Sequence, residues 1–142
     1  ADKEAVSDVS QLQEIQNNTS SDFSLLCCDY PGYSLILPTL ALGGAGTANV
    51  AGNIIPEEMA QLSQPWNNQD DATRARELYF ELLPILKLLY SVTNPVPVKA
   101  AVNLLGFNVG NPRLPLPTLS GAKLTELTNL LKDTGYLDKY SQ

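Results

Sequence analysis

The reactive side chains in this sequence are few, and their types narrow the chemistry at once. There is no histidine, which removes the commonest metal ligand, the usual proton shuttle and any Ser–His or Cys–His nucleophile pair from within the chain. The two cysteines, Cys27 and Cys28, are neighbours inside an apolar run. A disulfide between adjacent residues is strained, so both read as small core residues, which suits a reducing cytosol. Asp29 opens Asp29-Tyr30-Pro31-Gly32, a turn sequence. Lys99 ends the proline-fixed stretch Asn94-Pro95-Val96-Pro97-Val98-Lys99, which reads as a rigid entry into a helix, with the lysine meeting a surface carboxylate.

The whole-chain balance excludes other classes. Nine Lys and Arg against 15 Asp and Glu give a net charge of −6 over 142 residues. An acidic chain of one-domain size does not read as a nucleic-acid or membrane-surface binder, since both call for a basic face. No apolar run has the length of a membrane span. The chain begins Ala1-Asp2-Lys3-Glu4, with neither an initiator Met nor a signal-peptide pattern, and is expected to be a processed or truncated product.

The elements that must position any chemistry are organised around Leu37 to Asn53. An apolar helical run stops at Gly43-Gly44, and Thr47 to Ala51 then reads as a buried strand leading into a helix at Pro56. Upstream, Ser7-Asp8 starts a helix with Val9, Leu12 and Ile15 on one face, and Phe23 to Cys28 is a strand. Tyr33 to Leu42 reads as a helix that Pro38 should kink. Downstream, Asp70 or Asp71 caps the longest helix, which runs to about Tyr90 with Pro84 bending it. Another helix ends at Leu105-Gly106, and Ser120 opens a last one that closes at Gly135.

This gives two strands, a third cut off at residues 1–3, and about six helices. Helix–turn–strand–helix order makes an α/β protein, but so few parallel strands cannot close a barrel, which takes eight strands and about 250 residues. Residues 1–66 therefore read as the tail end of a larger α/β protein, and residues 67–142 as an appended helical segment.

Particular pieces of the chain then carry a family resemblance. Lys3-Glu4-Ala5, Leu26-Cys27-Cys28-Asp29, Leu40 to Asn53, Asn94 to Lys99 and Arg113-Leu114-Pro115-Leu116, in this order and spacing, resemble the C-terminal half of the dihydrodipicolinate synthase / N-acetylneuraminate lyase family. The Asn-Pro-x-Pro-Val-Lys and Arg-Leu-Pro-Leu motifs lean towards the dihydrodipicolinate synthase branch. The resemblance implies a (β/α)8 barrel whose sixth to eighth strands lie in residues 1–66, with the C-terminal helical extension in 67–142.

It also implies residue roles. Lys3 falls at the position of the Schiff-base lysine that binds the keto carbon of pyruvate, chemistry that needs a neutral, partly desolvated amine. Cys28 and Asp29 fall where the family usually has Gly-Asp lining the pocket, and Ala48 where a backbone carbonyl faces the substrate. No cofactor or metal is implied. The expected partners are pyruvate, a small aldehyde, the N-terminal half of the barrel with its threonine pair and catalytic tyrosine, and further copies of the chain, the family being tetrameric. Two departures stand out: Asp2 sits in a strand where the family has apolar residues or glycine, and Cys28 in place of glycine narrows the pocket. The implied reaction is a pyruvate-dependent, class I aldolase-type condensation with aspartate semialdehyde, in lysine and diaminopimelate biosynthesis. Alternatives are a related 2-keto-acid aldolase, an N-acetylneuraminate lyase, or a non-catalytic half-barrel that serves assembly.

Overall fold

Three short strands, β1 (Asp2–Glu4), β2 (Leu25–Cys28) and β3 (Gly46–Ala48), form one parallel sheet in the order β1-β2-β3. The structure is a computed structural model and describes residues 1–28 and 33–142. Parallel neighbours cannot be joined by a tight hairpin and need a crossover, usually a helix. Helix α1 (Val9–Asn18) lies between β1 and β2 in the chain, and α2 (Ile36–Ala41) between β2 and β3.

Local chemistry explains where these elements start and stop. Asp8 caps α1, its carboxylate accepting the Ser10 N–H at 2.8 Å. Leu12 is fully buried, but Val9 stays 43 % exposed, so the apolar stripe of α1 is narrower than Val9, Leu12 and Ile15 predict. A three-residue strand is only about 10 Å long and offers a helix little surface to sit on.

The α2 helix is shorter than the expected Tyr33–Leu42. Tyr33 has φ 61°, a left-handed conformation that cannot open a right-handed helix. With α2 starting at Ile36, Pro38 falls in the first turn, where a backbone N–H has no partner inside the helix. The expected kink therefore has no cause.

After α2, Gly43 turns the chain at φ 82°. Gly44 then passes so close to the preceding layers that a Cβ on it would meet Thr39 Cγ2 at 2.4 Å, Thr39 O at 2.7 Å and Leu25 O at 3.1 Å. Ala45 donates to Leu25 O at 2.7 Å, which joins this turn to β2.

The third strand ends sooner than Thr47–Ala51 predicts. Asn49 Nδ2 donates to Thr47 Oγ1 at 2.9 Å and Asn53 Nδ2 to Val50 O at 2.9 Å. Such local side-chain bonds compete with a sheet ladder and curl the chain. Residues Ala51–Asn53 form a single 3-10 turn.

Helix α3 (Pro56–Leu62) begins at its proline as expected, with Glu57 and Glu58 in the first turn and Met59 and Leu62 buried. Helix α4 (Gln69–Leu88) is capped by Asn68 and not by Asp70 or Asp71. The Asn68 Oδ1 accepts the N–H groups of Asp70 at 2.9 Å and Asp71 at 3.0 Å, and Asp71 Oδ2 reaches back to Asn67 N at 2.9 Å. Both aspartates thus lie in the first turn, where the helix dipole favours them. The helix continues a turn past Pro84; the missing N–H deprives only the carbonyl of Phe80, a residue exposed to solvent.

Packing divides the chain into two compact units, Ala1–Asn49 with Glu57–Leu83, and Val50–Pro56 with Pro84–Gln142. The first holds the sheet, with Leu12, Leu25, Cys27, Ile36, Leu40, Met59 and Leu62 in its core.

The second unit contains α5 (Val96–Leu104), α6 (Gly121–Asp133) and α7 (Tyr136–Tyr140), with Val96, Ala101, Leu105, Leu127, Leu131 and Tyr136 buried. Asn103 brackets the loop after α5, accepting Val109 N–H at 3.0 Å and donating to Gly110 O at 3.1 Å. Gly135, at φ 74°, ends α6 as expected, and α7 follows it. The α7 helix of five residues has too few apolar positions to show a period in the sequence.

The Gly44 approach yields a direct test. Gly44→Ala should destabilise the chain by about 1–3 kcal/mol, the range for an overpacked interior, measured as a lowered midpoint in urea unfolding.

Candidate active site

The sheet register decides which side chains can meet. In β1 and β2, Asp2 pairs with Leu25, Lys3 with Leu26 and Glu4 with Cys27. In β2 and β3, Leu26 pairs with Gly46, Cys27 with Thr47 and Cys28 with Ala48. Paired residues in a parallel sheet project to the same face, and successive residues to opposite faces. Lys3, Leu26 and Gly46 therefore form one row on one face. Cys28 and Ala48 form the next row of that face, towards the C-terminal ends of the strands.

The opposite face carries Glu4, Leu25, Cys27 and Thr47. It is the face the helices cover: Glu4, Leu25 and Cys27 are buried, and Thr47 Oγ1 lies 3.0 Å from Ser63 Oγ, just past the end of α3. Lys3, by contrast, is exposed, and Leu26, Cys28 and Ala48 are half-buried. Among the described residues nothing ties down the Lys3 ammonium group.

Three of the four site residues expected from sequence, Lys3, Cys28 and Ala48, thus share one face at one end of the sheet. With strands about 4.8 Å apart and a rise of about 3.3 Å per residue, Lys3 and Cys28 have Cα atoms roughly 8 Å apart on the diagonal. An extended lysine side chain carries its nitrogen roughly 6 Å from the Cα, most of that distance, so a small molecule bound between the two rows is within reach of the amine. The fourth, Asp29, lies outside the described residues.

Asp2 does not carry the burial cost expected of a charge in a barrel wall. It is exposed at the start of β1, and its backbone N–H donates to Ser24 O at 3.0 Å. Lys3 is likewise more exposed than Schiff-base chemistry favours, since a charged ammonium in water is poorly nucleophilic.

One feature of this end of the sheet was not anticipated. The Glu4 carboxylate is buried on the helix side, where Oε1 accepts the N–H groups of Ala5 at 2.7 Å and Val6 at 2.6 Å, and Oε2 accepts Gln11 Nε2 at 2.6 Å. Nothing in a lone Glu followed seven residues later by a Gln announces this in sequence.

Elsewhere in the same unit a concavity of about 580 Å³ lies beside Gln61, Trp66, Asp71, Arg74 and Glu81. None of the expected site residues line it. Hydrogen bonds from the Asn67 backbone and from Arg74 hold the Asp71 carboxyl below its usual range there, which marks an ion-paired surface group, not a proton donor.

Parallel strands backed by helices on one face, with a lysine in β1 and a helical segment following, fit the C-terminal part of a (β/α)8 barrel. Comparison with known proteins agrees. The chain belongs to the dihydrodipicolinate synthetase family, whose model matches residues 1–134. It is 38% identical over 136 residues to 4-hydroxy-tetrahydrodipicolinate synthase of Methanococcoides burtonii, covering 95% of this chain and 45% of that protein. To the protein of the same name from Methanopyrus kandleri it is 41% identical over 136 residues, covering 95% and 44%.

Among solved structures, dihydrodipicolinate synthase from Aquifex aeolicus superposes with a TM-score of 0.84 at 35% identity, covering 94% of this chain and 44% of that one. The enzyme from Cyanidioschyzon merolae, solved with lysine bound, gives 0.84 at 31% identity, with the same coverage of 94% and 44%. The chain spans less than half the length of the curated relatives it matches.

The two faces of β2 predict different thiol reactivity. Cys28, half-buried on the open face, should be alkylated by iodoacetamide well before Cys27, which has 0% exposure. Peptide mass mapping over a time course checks this, and equal rates would contradict the assigned faces.

Proposed function

We propose that this chain supplies the Schiff-base lysine and one wall of the pyruvate pocket of a 4-hydroxy-tetrahydrodipicolinate synthase, with residues 1–66 as barrel and 67–142 as helical extension. The observation that carries this reading is the common face: Lys3, Cys28 and Ala48 stand together at the C-terminal end of a parallel sheet, where barrels of this kind keep their chemistry.

In the proposed reaction the neutral Lys3 amine attacks the keto carbon of pyruvate, and loss of water leaves an imine. Removal of a proton from the adjacent methyl group gives an enamine, whose carbon adds to the aldehyde of aspartate semialdehyde. A tyrosine outside residues 1–142 would relay the protons, and Asp29, Cys28 and the Ala48 carbonyl would line the pocket. The remaining barrel strands would cover the open face, exclude water from Lys3 and so favour its neutral form.

The test is reductive trapping. Borohydride added with labelled pyruvate to the chain assembled with the rest of its barrel should leave a stable adduct on the Lys3 peptide, and Lys3→Ala should abolish both adduct and turnover. The 142-residue chain alone should show no turnover. Absence of any adduct in the complete barrel would sink the reading and favour a half-barrel that serves only assembly.

Self-association is part of the same proposal. The outer edges of β1 and β3 have no ladder partner among the described residues, and such edges pair with other chains. Sedimentation at micromolar concentration should therefore show a species larger than the 15.4 kDa monomer; a monomer would count against it.

A further inference from the structure

The buried Glu4 carboxylate is the strongest feature that the proposed reaction does not use. It is 6% exposed, and it accepts from three uncharged donors: two backbone N–H groups and the Gln11 amide. Burying a carboxylate is costly unless its oxygens are well satisfied. Its geometry gives it a use. β1 ends at Glu4, so the N–H groups of Ala5 and Val6 emerge just beyond the strand. Glu4 Oε1 collects both of them, and Oε2 holds Gln11, the third residue of α1.

One side chain thereby joins the end of β1, the turn after it and the start of α1. The turn is closed a second time where Asp8 donates its backbone N–H to Val6 O at 2.8 Å. Lys3 is the residue immediately before this clamp, on the opposite face of the same strand. Two of the three donors are the next residues of the chain and shape the turn, and the third, Gln11, ties the end of β1 to α1 one residue from Lys3.

We propose that Glu4 is a positioning residue for Lys3: its carboxylate fixes the exit of β1 from the helix side, so that the lysine stem leaves the sheet at one angle towards the second row of Cys28 and Ala48. This rests on Lys3 being the Schiff-base lysine. A lysine that must place its nitrogen against a carbonyl carbon gains most from a fixed root, because small misplacements at the reacting atoms lower rates steeply.

The experiment compares the rate of borohydride trapping of pyruvate on Lys3, per folded molecule, in the complete barrel and three variants, with thermal unfolding measured in parallel. Glu4→Ala should slow trapping about tenfold or more. Glu4→Gln should recover much of the rate, because its amide oxygen still accepts from Ala5 and Val6 and Gln11 can turn its own oxygen towards the new NH₂. Gln11→Ala, which leaves Glu4 in place, should be slower by a few-fold.

A purely structural role would lower the folded fraction and leave the rate per folded molecule unchanged. That result in Glu4→Ala overturns the proposal. Should Glu4→Ala fail to fold, Gln11→Ala decides, and an unchanged trapping rate in it overturns the proposal equally. If the unsubstituted protein itself traps no pyruvate on Lys3, the reading of Lys3 has failed, and the proposal about Glu4 falls with it.

Discussion

A parallel sheet has to be buried on both faces, because its crossover helices and its continuous apolar strands leave no side suited to water. In this chain the helices cover one face of β1, β2 and β3, and the other carries Lys3, Leu26, Cys28 and Ala48 in partial contact with solvent. That asymmetry governs the rest. It places Lys3 on the face left open and leaves the outer edges of β1 and β3 without a ladder partner among the described residues.

The covered face is where this chain spends its packing. Gly44 presses against Thr39 and Leu25 with no room for a methyl group, Thr47 meets Ser63, and Leu12, Leu25, Cys27 and Ile36 fill the space between. The open face carries two small residues, Gly46 in the first row and Ala48 in the second. Cys28 is the larger neighbour of Ala48 in that second row.

Much of this was legible from sequence, and the failures have physical causes. The Gly43-Gly44 turn, the proline start of α3, the Asp8 cap and the end of α6 at Gly135 were readable because each rests on a residue with a strong local preference. The cap of α4 was misassigned because Asn68, Asp70 and Asp71 are all good caps, and only the geometry selects among them. The early end of β3 depends on the side chains of Asn49 and Asn53 bonding locally, which no periodicity reveals. Around the proposed site, the sequence placed Lys3 in a strand, but it gave no sign of the three bonds that Glu4 accepts. Those arise from a turn that brings Gln11 back over the strand.

The adjacency of Lys3 and Glu4 has one more consequence, for how the strand finds its place. Side chains alternate across a sheet, so a slip of one residue exchanges the two faces. Here it would push the Lys3 ammonium into the apolar layer on the helix side with Leu25 and Cys27, and would take Glu4 away from Gln11. A strand of only three residues carries little pairing energy to reject a wrong alignment. Two neighbouring charges of opposite sign, each tolerated on one side alone, proofread it.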